Sequence, residues 1–133
     1  MNTVAKSPWV TVNPCRPCAP LGATLALRGI AGALPLIHGS QGCATYIRRY
    51  LISHYREPVD IASSSIAESN AIFGGEEALA AGLDALVRQY SPALIGVATS
   101  CLSETIGEDV KAFCGRYTRS HPHAPIIVPV STP

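Results

Sequence analysis

Residues 34–43 read Leu-Pro-Leu-Ile-His-Gly-Ser-Gln-Gly-Cys, and the fold turns on them. Residues 33–37 are a short apolar run with the profile of a buried strand, and residues 44–56 return apolar side chains at helical spacing, with Ala44, Ile47, Leu51 and Tyr55 on the inner face. A strand therefore hands over to a helix through His38-Gly39-Ser40-Gln41-Gly42-Cys43. Two glycines in that joint let the backbone turn sharply and approach something bulky. They leave Cys43 at a helix mouth, where unpaired amide N–H groups favour negative charge and draw a thiol toward thiolate. A thiolate is a nucleophile or a soft metal ligand, so its role depends on whether other cysteines occupy the same kind of place.

Upstream, residues 13–20 carry three prolines in eight positions and read as an irregular loop, with Pro20 suited to the first turn of a helix over residues 21–30. Cys18 then lies just outside a helix N-terminus. Gly29 and Gly32 bracket the end of that helix. Downstream, Pro58 ends the second helix, residues 59–61 fit a short strand, and residues 62–75 read as a loop framed by Ser63-Ser64-Ser65 and Phe73-Gly74-Gly75. A helix follows over residues 76–90, striped by Leu79, Leu83, Leu86, Val87 and Tyr90. Residues 94–99, Leu-Ile-Gly-Val-Ala-Thr, have the unbroken apolar profile of a parallel strand covered on both faces, and Cys101 lies just past its end.

A further helix over residues 103–119 places Ile106, Val110, Phe113, Cys114 and Tyr117 on one side, and residues 126–130 read as a second buried strand. Strand, helix and strand at this spacing make right-handed crossover units, so the predicted class is α/β: a parallel sheet with helices on both faces. Ligand sites in such sheets lie beyond the carboxyl ends of the strands. Cys43 and Cys101 both fall there, and Cys18 sits near a helix start that can join them. Residues 1–12, with Pro8 and the lone Trp9, have no sustained period and read as an N-terminal arm ahead of one domain over residues 13–133.

A chain of 133 residues with 47% hydrophobic and 14% charged residues suits one well-buried core. A net charge of +1 with scattered basic residues gives no electrostatic footprint for nucleic acid or an acidic membrane surface. Apolar runs break well before the roughly 20 residues of a membrane span, and the N-terminus lacks a signal-peptide core, so the expected location is cytoplasmic. Five cysteines in such a chain argue against a disulfide framework and toward metal binding, catalysis or burial.

Four uses compete for those cysteines. Cys114, on the inner face of a helix, reads as packing. Cys15-Arg16-Pro17-Cys18 has the C-x-P-C form of a thiol-disulfide oxidoreductase, but the residues before it are too short and polar for the usual strand, and Cys43 and Cys101 are left without a role. Zinc favours paired Cys or Cys/His spacing, of which there is one instance. Well-separated thiolates at helix mouths, with glycines nearby, suit an iron-sulfur cluster at a boundary.

With these residues in hand the sequence resembles the beta-type subunits of the nitrogenase component 1 family. The matching motifs run in family order: NPCRPCAPLGA (13–23), LPLIHGSQGC (34–43), REPVDIASS (56–64), AIFGG (71–75), SCLSETIGEDV (100–110) and VPVSTP (128–133). The resemblance implies a Rossmann-like first domain and an iron-sulfur cluster shared with a homologous partner subunit, with Cys18, Cys43 and Cys101 at the ligand positions. Cys15 and Cys114 match none. It further implies an alpha-type partner, NifE-like or NifD-like, and the nitrogenase reductase iron protein, which carries the nucleotide. Of two roles, the preferred reading is a NifN-like scaffold for iron-molybdenum cofactor biosynthesis, and the alternative is the beta subunit of the nitrogenase molybdenum-iron protein. The run over residues 45–68 is closer to scaffold subunits, whereas catalytic beta subunits carry an aromatic-rich helix and a Ser-Asp-Ser-Met-type segment there. Retention of all three cysteines weighs the other way. Family subunits continue beyond the STP motif, so the chain reads as the N-terminal part of a longer subunit, expected to associate when alone.

Among the polar neighbours, His38 at a strand end reads as a hydrogen-bonded structural residue, and Glu104 as a capping side chain after Ser100 or Cys101. Arg48 and Arg49 face either a partner subunit or solvent. No Ser-His-Asp set, phosphate loop or paired catalytic carboxylates can be identified, so no catalytic residue is assigned.

Overall fold

The computed structural model describes residues 17–131, so the arm over residues 1–12 and Cys15 lie outside the described residues. Strands β1 (Ala33–His38), β2 (Ala62–Ser63), β3 (Leu94–Thr99) and β4 (Ile126–Val130) form a parallel sheet in the order β2-β1-β3-β4. Helices α1 (Ala19–Arg28), α2 (Gln41–Tyr55), α3 (Glu68–Phe73), α4 (Glu76–Tyr90), α5 (Cys101–Ile106) and α6 (Val110–Ser120) surround it. The α/β class and the helices on both faces are as predicted.

Both central strands are apolar throughout because both of their faces are covered. Side chains alternate across the sheet: Leu34 and Leu36 with Ile95 and Val97 meet Leu79, Leu83 and Leu86 of α4 and Val110, Cys114 and Tyr117 of α6. Ile37 and Ala98 meet the other core, built by Ala44, Ile47 and Leu51 of α2 with Leu21 and Ala23 of α1 at its rim. Gly96 lets α1 lie close on β3, since a Cβ there would come within 2.2 Å of a Leu27 methyl. The β1–β3 register runs from Ala33 opposite Leu94 to His38 opposite Thr99. The two strands thus end flush, and Gly39 and Ser100, the residues just beyond each, come side by side.

Several local expectations are corrected. Helix α2 begins at Gln41, so Gly42 and Cys43 belong to its first turn; Tyr55 is exposed, with the Arg28 guanidinium 4.5 Å above its ring. The short strand forms at Ala62–Ser63 and not over residues 59–61, because Val59 is drawn into the α2 core while its carbonyl accepts from Arg48 Nε at 3.1 Å. The predicted loop contains α3, closed by Gly74 at φ 97°. The long last helix is two helices: Gly107 turns left-handed at φ 80°, and Asp109 starts α6 afresh by accepting the Ala112 N–H at 2.9 Å. Ile106 consequently lies outside the buried core; Tyr90, expected on the inner stripe of α4, is the last residue of that helix and is exposed. Strand β4 is half-buried at the sheet edge, with Ile126 and Val128 exposed, and not a second buried strand. Among the described residues, no helix is long and apolar enough to cross a membrane.

Candidate functional site

Three thiols occupy the carboxyl edge of the sheet, each at the start of a helix. Cys43 is the third residue of α2, directly beyond β1; its N–H bonds Ser40 O at 3.2 Å, and the Ser40 hydroxyl points to its sulfur at 3.8 Å. Cys101 is the first residue of α5, directly beyond β3. Cys18 is the N-cap of α1, a helix joined to β1 through the tight link of residues 29–32, so α1 runs back along the strand and its start reaches the same edge. Leu21, Ala23 and Cys43 pack against one core patch, which ties the starts of α1 and α2 together. Cys18 and Cys101 are exposed and Cys43 is half-buried.

Among the described residues, no three His, Cys, Asp or Glu side chains close on a single metal ion. The thiols share an edge without forming a compact mononuclear site, so the donor set does not fit tetrahedral zinc. A polynuclear cluster takes its thiolates at separate iron atoms, and soft, spaced, accessible sulfurs fit it. Space is available as well: a Cβ on Gly42 would meet nothing within 4 Å. Gly39, the other glycine of the joint, is used differently. A Cβ there would fall 1.9 Å from Ser100 Oγ, so this glycine serves strand-end packing and not the approach of a ligand.

Cys114 behaves as packing: it lies on the buried face of α6, and burial pushes its thiol up to about 11. Tyr117, one turn on, is held above the ordinary phenol range by burial and by Asp84, whose carboxylate accepts its hydroxyl.

Beneath the thiol edge lies a polar network that sequence reading missed. His38, 1% exposed, has Nδ1 2.9 Å from Ser64 Oγ and Nε2 2.7 Å from Glu108 Oε2. Ser64 Oγ also accepts the Gly39 N–H at 3.2 Å, and Glu108 Oε1 accepts the Gly75 N–H. The set has the composition of a hydrolytic triad but not its accessibility, because the serine oxygen is buried and already holds a backbone donor. His38 is thus a hydrogen-bonded structural residue, as expected. The partners lie 26 and 70 residues away in sequence, so the only local signal was a polar ring ending an apolar strand.

Glu104 does not cap α5: Ser103 Oγ accepts the Ser100 N–H at 3.1 Å, while Glu104 accepts from Thr99 and Ser131 hydroxyls. Arg48 and Arg49 are both exposed.

The family model for nitrogenase component 1 type oxidoreductases matches residues 18–133. The nitrogenase molybdenum-iron protein beta chain of Methanococcus maripaludis is 45% identical over 113 residues, 85% of this chain and 24% of that one. The beta chain of Crocosphaera subtropica is 48% identical over 106 residues, 80% of this chain and 21% of that one. The solved structure described as nitrogenase Cp1 at pH 6.5 superposes with a TM-score of 0.85 at 35% identity, covering 92% of this chain and 27% of the other. The chain therefore spans about a quarter of the length of these relatives. Matched over most of its residues and in its fold, it belongs to the nitrogenase component 1 type oxidoreductase family, as a beta-type member.

Proposed function

We propose that this chain is the part of a beta-type component 1 subunit that holds an iron-sulfur cluster through Cys18, Cys43 and Cys101, shared across an interface with an alpha-type subunit. The observation that carries the reading is three thiols at three helix starts on one sheet edge, accessible and spaced beyond the reach of one ion. When bound, such a cluster supplies one-electron storage and transfer. The chain's own part is to hold three sulfurs on rigid helix starts, with backbone amides nearby to balance negative charge. Three thiolates leave a polynuclear cluster short of ligands, so the partner supplies the rest. Residues 13–133 act as the component 1 type domain, with residues 1–12 as an arm.

Anaerobic co-expression with an alpha-type partner, followed by iron and sulfide analysis, tests this. Cys43→Ala should lose most of the bound iron while Cys114→Ala keeps it, and equal iron in wild type and Cys43→Ala rejects the proposal. Within the family, the relatives' names and the retention of all three cysteines support the beta subunit of the molybdenum-iron protein. The run over residues 45–68 supports the NifN-like scaffold. Substrate reduction driven by the reductase iron protein distinguishes them, since a scaffold passes on a cofactor precursor without turning over.

A further inference from the structure

We infer that His38 is the positioning residue of the thiol edge: its imidazole, clamped between the Ser64 hydroxyl and the Glu108 carboxylate, sets the spacing between the helix starts that carry Cys43 and Cys101. The inference rests on the cluster reading only for its purpose; the geometry stands without it. His38 ends β1, and two residues later the chain enters α2 with Cys43 in its first turn. The same residue ties α5 at both ends. At the start, the Ser100 N–H, directly before Cys101, bonds His38 O at 3.0 Å. At the finish, Glu108, one residue beyond the Gly107 cap, bonds Nε2.

The proton positions follow from the partners. An ionised carboxylate only accepts, and Glu108 already takes the Gly75 N–H, so Nε2 carries the ring proton and donates to Oε2. Nδ1 pairs with the Ser64 hydroxyl, whose oxygen takes the Gly39 N–H. The three side chains hold the ring in one orientation, with His38 and Ser64 buried and Glu108 partly buried. A buried ring fixed in this way transmits position: moving it shifts the β1 end, the Ser100 amide and the end of α5 together. Cys18, on α1, shares none of these bonds and serves as an internal control.

Glu108→Gln preserves shape but leaves one acceptor oxygen for two donors, the His38 Nε2–H and the Gly75 N–H, so one of those two bonds is lost and an amide N–H is set against the orphaned donor. Iodoacetamide labelling of the full chain, prepared without iron and followed cysteine by cysteine, should show Cys43 and Cys101 alkylated about fivefold faster, the opening expected from one lost hydrogen bond, with Cys18 unchanged. Ser64→Ala, which removes the Nδ1 partner without opposing two donors, should give the same pattern more weakly. Equal rates at all three cysteines, or no change in either variant, would overturn the inference. Loss of the folded far-UV spectrum in both variants would assign the network to global stability and overturn it too. If wild type with its partner binds no iron, the cluster reading falls, while the labelling pattern still decides the positioning role.

Discussion

At the start of the strand-to-helix joint, His38 and Gly39 are buried and bonded on every side, whereas at its end Gln41 and Gly42 are exposed and Cys43 is half-buried. The two glycines make the contrast sharp. An added Cβ on Gly39 would overlap Ser100, 1.9 Å from its oxygen and 2.5 Å from its Cβ; one on Gly42 would meet nothing. Six consecutive residues thus divide their work. The first pair closes the sheet edge, and the last three leave room beside a thiol. A helix start can present a sulfur to a large group only if something behind it is rigid, and the closed half supplies that rigidity.

The largest expected effect breaks the closed half. Gly39→Ala should destabilise the chain by about 3 kcal/mol, the upper end for overpacking, because its neighbour is a fully buried serine held by its own backbone bonds. Ser100 Oγ has no hydrogen-bond partner among the described residues, so Ser100 can lose its side chain without orphaning another group. Ser100→Gly in the same chain should therefore restore much of the loss. Urea unfolding of the single and double variants checks both. A single variant as stable as wild type would mean that the joint is open at both ends.

The contrast also explains what could be read from sequence. The open half was legible because its signals are local: an apolar run, two glycines and a cysteine. Both central strands were legible as unbroken apolar runs, and α4 from its helical stripe. The closed half was not, because His38, Ser64 and Glu108 meet only through the register of β1, β2 and β3 and the break between α5 and α6. That break was itself hidden, since Ile106, Val110, Phe113 and Tyr117 keep helical spacing across Gly107, and only its left-handed φ stops the first helix. The role of Gly39 was misread for the same reason: a glycine required by a distant residue resembles one required by a ligand.

Cys114 extends the comparison to a thiol that is wholly closed. Its value is raised from the ordinary 9.0 to about 11, so the folded state prefers the protonated form and the unfolded state ionises first. The associated stability is fully present below pH 9 and is lost as pH rises through 11, for a total of roughly 3 kcal/mol at most. Tyr117 shifts in the same sense, but its window lies higher. Unfolding free energy measured across this alkaline range should fall in wild type and fall less in Cys114→Ala. Equal slopes would show that the thiol is not desolvated.

The smallest effect should carry the opposite sign and belongs to the open half. Gly42 is the second residue of α2, where glycine costs helix stability relative to alanine and no neighbour demands its absence of a side chain. Gly42→Ala should raise the melting temperature by about 2 °C, corresponding to roughly 0.5 kcal/mol in a domain of this size. The space above Gly42 is open and adjoins the half-buried Cys43, so an added methyl would occupy room on the thiol side of the helix start. The same substitution should therefore lower iron per complex under the loading conditions that test Cys43→Ala. A variant that is more stable and binds iron normally would place the bound group elsewhere along the edge, toward Cys18 and Cys101, and leave the contrast between the two glycines one of packing alone.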